Sequence, residues 1–209
     1  IILDQGDGTG TLAFGSGGGL GFVRTTPTAP FAAEIRLEID VIDEDGIVYA
    51  GNPAAFGEAS AGNGIAFTDG TKEMRFGRLT MQNAYGSELI PLNLPLHAEY
   101  FDGITFVDNL EDSCTPYDGT LATLANYSAN LQAGETNIAG AGSLLGGIDN
   151  PLSPLQLSAP GAGNDGSVDV SLPVDFWLQY DWDGDGAHDN DPSARASFGI
   201  FKGNSRMIY

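Results

Sequence analysis

The segment Leu92–Tyr100 reads Leu-Asn-Leu-Pro-Leu-His-Ala-Glu-Tyr, so apolar and polar residues alternate along it. Successive side chains of a β-strand point to opposite faces, and such alternation is typical of a strand with one buried face. Pro95 donates no backbone hydrogen bond, which predicts a sheet edge or a bulge there. Ile35–Val41 alternates in the same way. Both segments indicate sheets with one face in a core.

Further strand-like segments are separated by dense turn signals. The dipeptide Asp-Gly occurs eight times, and both of its residues tolerate the positive φ of tight hairpin turns. Short strands with such turns favour an all-β fold, an antiparallel β-sandwich of Ig-like or jelly-roll-like type, over a βαβ protein. Only Leu121–Gln132 has the spacing of a short helix. The other predicted strands are Glu73–Gln82, Ile104–Asp108, Val168–Leu172, Phe176–Tyr180 and Ala194–Lys202.

Acidic residues dominate the charge of the chain. Its 209 residues include 28 acidic and 8 basic side chains, for a net charge of −20. This length suits one large β domain or two small ones, with a substantial core. The negative charge argues against a nucleic acid or an anionic membrane surface as a partner, because both would repel it. No apolar run approaches the roughly 20 residues of a transmembrane helix.

Glycine-rich and proline-rich stretches suggest how the chain is divided. Residues 1–30 are interpreted as a Gly-rich segment, either a strand or a linker from a preceding domain. Residues 31–209 are predicted to form the β-sandwich, with a subdivision near 150–163 as an alternative. The sequence begins without Met or a signal-peptide pattern, so we expect either a processed secreted protein or part of a longer chain.

The strongest chemical motif is Asp181–Asp191, which reads Asp-Trp-Asp-Gly-Asp-Gly-Ala-His-Asp-Asn-Asp. Counted from its first residue, carboxylates fall at positions 1, 3, 5 and 9 and glycine at position 6, as in an EF-hand calcium loop. Repulsion among these carboxylates is costly without a cation. Position 12 is Pro192, where an EF-hand has a bidentate Glu, so another carboxylate must complete the shell. The predicted calcium ligands are Asp181, Asp183, Asp185, the carbonyl of Ala187, Asp189 and Asp191.

The flanks of this motif, Phe176–Tyr180 and Ala194–Lys202, read as strands. No helix pair is therefore expected to open around the loop as it does in a calcium sensor. We predict a structural, EF-hand-like calcium loop without flanking helices, similar to those of dockerins and thrombospondin type 3 repeats. The alternative is an acidic, solvated turn.

Little in the sequence indicates catalysis. The chain has two His and one Cys, and no Gly-x-Ser-x-Gly elbow is present. Glycosidase chemistry needs only two carboxylates, but no pair stands out. Cys114 is interpreted as a buried thiol or as half of a disulfide to a part of the protein outside this sequence. His188 lies within the acidic loop at a position that normally points outward, so it is predicted to be a bystander and not a ligand.

The aromatic residues beside the loop allow two interpretations. Trp177, Tyr180 and Trp182 could form a platform on which a sugar stacks. Packing in the core beside the calcium loop is favoured, because an exposed Trp is costly.

Several motifs, in order, resemble a known family. They are Arg75–Leu79, Asn83–Leu89, Asp112–Thr115, Trp177–Gly186 and Pro192–Gly203. Together they resemble the C-terminal region of MshQ-type proteins, which are associated with biogenesis of the mannose-sensitive haemagglutinin type IV pilus in Gram-negative bacteria. The resemblance covers about Phe31–Tyr209. It implies a large exported surface protein, often with a lectin-like domain upstream, and it carries no catalytic residues to this chain.

The sequence thus predicts a non-enzymatic, extracellular or cell-surface β domain of a pilus-associated or adhesin-like protein, stabilised by calcium. One alternative is a calcium-dependent carbohydrate-binding, lectin-like module. Another is a structural subunit that assembles into a surface filament by strand pairing. The expected partners are other parts of a larger surface protein or pilus, and glycans in the lectin-like case.

Overall fold

The structure, a computed structural model, describes residues 2–4, 6, 10–12, 24–32, 36–40, 42, 45–48, 50–57 and 73–199. In these ranges the chain forms short β-strands and one 3-10 helix, so the all-β prediction is confirmed. The strands before residue 75 are β1 (Ile2–Asp4), β2 (Gly10–Leu12), β3 (Phe31–Ala32), β4 (Arg36–Ile39), β5 (Ala54–Gly57) and β6 (Glu73–Met74). The strands that follow are β7 (Gly77–Met81), β8 (Ala84–Gly86), β9 (Leu92–Asn93), β10 (Leu96–Phe101), β11 (Phe106–Asp108), β12 (Pro116–Asp118), β13 (Thr123–Ala125), β14 (Ile138–Ala139), β15 (Ala141–Ser143), β16 (Gln156–Leu157), β17 (Gly166–Ser171) and β18 (Ser193–Phe198), with the 3-10 helix η1 (Gly119–Leu121) after β12.

The strands before residue 75 pair two at a time. β1 pairs with β2, β4 with β5, and β3 with β6, all antiparallel. β4 confirms the strand predicted within Ile35–Val41. Most of the Gly-rich segment 1–30 lies outside the described residues.

The largest sheet has four strands in the order β13-β17-β18-β8. β17 and β18 are antiparallel over six residue pairs, from Gly166 opposite Phe198 to Ser171 opposite Ser193. β8 adds to the other side of β18 in parallel orientation. The strands predicted over Val168–Leu172 and Ala194–Lys202 are thus neighbours, and the end of the second lies outside the described residues.

Two three-stranded sheets share the segment around Pro95. Their orders are β11-β10-β7 and β14-β16-β9. The predicted strand is interrupted at Leu94 and Pro95, between β9, which is an edge strand of its sheet, and β10, which is the central strand of the other. The Pro95 carbonyl accepts a hydrogen bond from the amide of Gln82 at 3.0 Å. The single alternating segment Leu92–Tyr100 therefore supplies one strand to each sheet.

One hydrophobic cluster joins these sheets. Leu79 and Leu96 of the β7-β10 pair, Leu157 of β16, and Val168 and Ala196 of the four-stranded sheet all belong to it, and each has 0% of its surface exposed. Removing a Leu side chain from water contributes about 1.5–3 kcal/mol. The apolar faces of alternating segments in the three larger sheets thus meet in one core.

The predicted strand Phe176–Tyr180 is wrong. Phe176–Leu178 form a turn, in which the amide of Leu178 donates to the Asp175 carbonyl at 2.8 Å. Leu178 is buried, whereas Phe176 and Trp177 are exposed. Only Tyr180 makes a β-bridge, with Asn190.

The predicted helix Leu121–Gln132 is also wrong. η1 ends at Leu121, and the following residues form β13, which pairs with β17. Asn126 and Ala129 then adopt positive φ values of 52° and 55°, a conformation that no right-handed helix contains. Tertiary pairing overrides the weak helical spacing of the segment.

Cys114 is exposed, so the interpretation of its side chain as a buried thiol is wrong. Within the described part of the chain, no helix is long and apolar enough to cross a membrane. The boundaries predicted near residues 30 and 150–163 stay predictions.

Two leucine variants should differ strongly in their free energy of unfolding. Leu96→Ala opens a cavity at a side chain with 0% exposure and should lower the free energy of unfolding by about 2–5 kcal/mol. Leu152→Ala, at a side chain that is 93% exposed, should change it by less than about 0.5 kcal/mol. Urea denaturation of both variants measures the difference. Equal free energies of unfolding would contradict the position of Leu96 in the core.

Candidate metal site

The acidic loop (Asp181–Asp191) is closed at its base by backbone hydrogen bonds. The amide of Tyr180 donates to the Asn190 carbonyl at 3.1 Å, and the Asn190 amide donates back to Tyr180 at 3.2 Å. The side-chain oxygen of Asn190 also accepts from the amide of Trp182 at 2.9 Å. The two ends of the loop are therefore held at a defined distance from each other.

Loop amides point at the carboxylates of the same loop. Asp181 accepts from the amide of Gly184 at 2.7 Å and from that of Gly186 at 3.1 Å. Asp185 accepts from the amide of Ala187 at 2.8 Å. Gly186 has a φ of 91°, which places the sharp turn at the sixth position of the motif, where the sequence predicts it.

Three carboxylates converge inside this turn. Ligand oxygens of Asp181, Asp183 and Asp185 all lie within 4.8 Å of one another. Ca²⁺ binds oxygens at roughly 2.4 Å, so two ligands on opposite sides of one ion are about 4.8 Å apart. Asp181 is half-buried, and the other two side chains are exposed. Among the described residues, this is the one group of three or more metal-ligating side chains at such spacing.

Two of the predicted carboxylate ligands do not join this group. Asp189, whose side chain is exposed, is not among the converging carboxylates. Asp191 turns toward the protein, where one of its oxygens accepts from the amide of Val174 at 3.2 Å and from the side chain of Gln179 at 2.9 Å. The structure therefore brings together three of the five predicted carboxylate ligands.

An aromatic cluster lies against the loop. Tyr180 is at its centre, with ring centroids 5.1 Å from each of Phe106, Trp182 and His188. His188 also packs edge-on against Phe76 at 5.6 Å. His188 does not join the converging carboxylates of the loop, and its ring lies between these two aromatic residues.

Arg78 projects from β7 into the same cluster. Its guanidinium carbon lies 3.7 Å from the ring centre of Phe106, 4.7 Å from that of Tyr180 and 4.9 Å from that of Trp182. Two nitrogens of the guanidinium contact Glu99 of β10 at 2.8 and 2.7 Å. We call these five residues the Arg78 clamp.

The two tryptophans are more exposed than predicted. Trp177 is 53% exposed and packs edge-on against Phe176 in its turn. Trp182 is 40% exposed, with Tyr180 and Arg78 against its ring. Packing of both indoles in the core was therefore a wrong expectation, since the rings lie on turns and not on the inner face of a strand.

A family model described as DUF6701, fourth domain, matches residues 75–209, which is well over half of the chain. The chain belongs to this family. The matched range contains the acidic loop, the Arg78 clamp and the three larger sheets. No curated protein and no solved structure matches the chain.

The DUF6701 fourth domain also carries a polar groove that sequence reasoning missed. It is a depression of about 380 Å³ on the exposed face of the four-stranded sheet. There Arg195 donates two hydrogen bonds to Asp169, at 2.6 and 3.0 Å, and these lower the pKa of that carboxyl. The alternation of polar residues along β17 and β18 is the sequence pattern that could have indicated this groove. The groove is lined by Thr123, Ala125, Asn126, Asp169, Val170, Ser171, Ser193, Ala194 and Arg195.

The site geometry separates a structural carboxylate from a solvated one. Asp191→Ala removes the acceptor of two partly buried donors and should lower the free energy of unfolding by about 1–3 kcal/mol, even in chelator. Asp189→Ala removes an exposed side chain and should have little effect in chelator. Denaturant titrations in EGTA measure the free energy of unfolding of both variants. An Asp191→Ala variant as stable as the parent protein would refute the structural role of Asp191.

Proposed function

We propose that this DUF6701 fourth domain is a non-enzymatic β-sandwich domain whose acidic loop binds a structural calcium ion. The observation that supports it most is the convergence of the Asp181, Asp183 and Asp185 carboxylates within 4.8 Å on a loop closed at its base. Three negative charges so close together repel one another, and a divalent cation would offset that repulsion.

The chemistry of the donors favours calcium over other common metals. All three converging groups are carboxylates, which are hard oxygen ligands, and neither Cys114 nor either His belongs to the group. Mg²⁺ needs near-ideal octahedral geometry and usually keeps several waters, whereas Ca²⁺ accepts irregular oxygen shells. The Ala187 carbonyl, Asp189 and water would complete such a shell, while Asp191 would support it from behind.

An extracellular, cell-surface setting is part of the proposal. The motifs that resemble MshQ-type proteins support a pilus-associated or adhesin-like parent protein. Extracellular calcium modules bind with dissociation constants of about 10⁻⁴–10⁻³ M, so a loop with few charged ligands would suffice there. Other domains of that surface protein would be the partners, and the net charge of −20 would help keep it soluble.

A bound ion would stabilise the fold by mass action. Calcium at about 100 times its dissociation constant should add about 2.7 kcal/mol and raise the melting temperature by roughly 5–10 °C relative to EGTA. The double variant Asp183→Asn/Asp185→Asn should lose this increase. Differential scanning fluorimetry of both proteins measures it.

The matched control is Asp175→Asn, which neutralises an exposed carboxylate outside the loop. It should keep the full calcium-dependent increase. An equal increase in the double variant would mean that calcium acts elsewhere, and no increase in the parent protein would reject the calcium proposal.

The exposure of Trp182 favours carbohydrate binding as a second candidate function. Its indole is 40% exposed and lies between two of the converging carboxylates in sequence. Sugars stack their apolar faces on such rings, and lectin-like sites often pair an aromatic ring with a calcium ion that binds hydroxyls. The other tryptophan, Trp177, offers a matched control because it is also exposed, at 53%, but lies outside the loop.

This candidate predicts calcium-dependent glycan binding that depends on Trp182. Titration of a panel of methyl glycosides, followed by ligand-observed NMR, should show binding in calcium that Trp182→Ala weakens at least roughly tenfold. Trp177→Ala should bind as the parent protein does. Equal loss in both variants, or no binding by the parent protein, would argue against this function.

A further inference from the structure

We propose that Arg78 anchors the acidic loop, holding it in its ligand-binding shape before any cation arrives. The effect on calcium affinity rests on the proposed function, but the effect on loop order does not. Arg78 thus acts as a positioning residue, since it touches the residues around the carboxylates and not the carboxylates themselves.

The sheet fixes one side of the guanidinium. Arg78 of β7 lies directly opposite Glu99 of β10 in the antiparallel register. Their contacts at 2.8 and 2.7 Å involve two guanidinium nitrogens, so the planar group has a fixed orientation. Only 18% of the Arg78 side chain and 21% of the Glu99 side chain are exposed. Partial burial strengthens the pair compared with one on an open surface.

The loop packs on the other side of the same group. Tyr180 and Trp182, whose rings contact the guanidinium, are the residues immediately before and after Asp181. The amide of Trp182 is held as well, by the Asn190 side chain at 2.9 Å. Asp181 therefore lies between two anchored residues, and Asp183 is the next residue after them.

Phe106 completes the contact from β11, at 3.7 Å from the guanidinium carbon. A planar, delocalised cation can pack on several rings and keep its hydrogen bonds, which the compact ammonium of Lys cannot do. The contacts at position 78 thus require the planar guanidinium of Arg and not only a positive charge. A Lys could replace the charge opposite Glu99 but not the contact with the three rings.

Anchoring the loop has a consequence for ligand affinity. A loop that is ordered in advance loses less conformational entropy when it closes on an ion. Loss of the ring contacts should release the segment around Asp181, while the base of the loop stays closed by the Tyr180–Asn190 hydrogen bonds. The loop should then be more mobile without metal and should bind calcium more weakly.

The experiment uses Trp182 as a reporter. The chain has two Trp residues, so Trp177→Phe leaves Trp182 as the sole tryptophan. In this background we compare Arg78→Lys with Arg195→Lys, which alters an Arg–Asp pair on the four-stranded sheet. Circular dichroism in EGTA establishes that each variant is folded. Should Arg78→Lys fail to fold, Tyr180→Leu, which removes one ring from the clamp, replaces it.

The first measurement is made in EGTA. Arg78→Lys should show red-shifted Trp182 emission with lower anisotropy, and roughly tenfold faster hydrogen exchange at the amides of Gly184 and Gly186. Arg195→Lys should match the parent protein in both respects. Unchanged emission and exchange in Arg78→Lys would overturn the anchor proposal, whatever the calcium result.

The second measurement is calcium titration by calorimetry. Arg78→Lys should bind calcium roughly three- to tenfold more weakly than the parent protein, and Arg195→Lys should bind it equally well. Calcium binding by the parent protein with equal affinity in Arg78→Lys would refute preorganisation by Arg78. If the parent protein binds no calcium, the proposed function fails, and the exchange data alone decide the role of Arg78.

Discussion

The structure depends on one shared core, into which the three larger sheets bury apolar faces. Val170 on β17, Leu79 on β7 and Leu96 on β10 meet in it. The chain leaves this core at Leu178, before the acidic loop, and returns to it at Ala194, after the loop; these residues are 7% and 6% exposed. The amide of Leu79 donates to the Leu178 carbonyl at 2.9 Å, so the segment that enters the loop is tied directly to β7. A polar, strongly acidic segment can keep a defined shape because its two ends are held by buried apolar residues.

Ion pairs connect neighbouring strands of the sheets that surround this core. The chain has 8 basic and 28 acidic residues, and in its described part three arginines, Arg75, Arg78 and Arg195, pair with specific carboxylates. Arg78 pairs with Glu99 across β7 and β10, and Arg195 pairs with Asp169 across β18 and β17. Neither cation pairs with the converging carboxylates of Asp181, Asp183 and Asp185.

The parts predicted correctly from the sequence depended on local pattern. Alternation identified β18 and the residues of β9 and β10, although not the break that puts these two strands in different sheets. The spacing of Asp and Gly identified the turn at Gly186, beside which three carboxylates converge. Phe176–Tyr180 was misread because exposed aromatic residues in a turn satisfy the same pattern as a buried strand face. The Arg78–Glu99 pair could not be foreseen, since it needs the register of β7 against β10. The inward turn of Asp191 likewise depends on Val174 and Gln179, which only the folded chain brings near it.

The central claim, that the acidic loop is a calcium site, is tested most directly by a crystal structure grown in millimolar calcium with anomalous data. We expect an anomalous peak bounded by Asp181, Asp183 and Asp185, with carboxylate oxygens at roughly 2.3–2.6 Å and the Ala187 carbonyl or water beside them. A loop of the same shape that holds only water under these conditions would contradict the account.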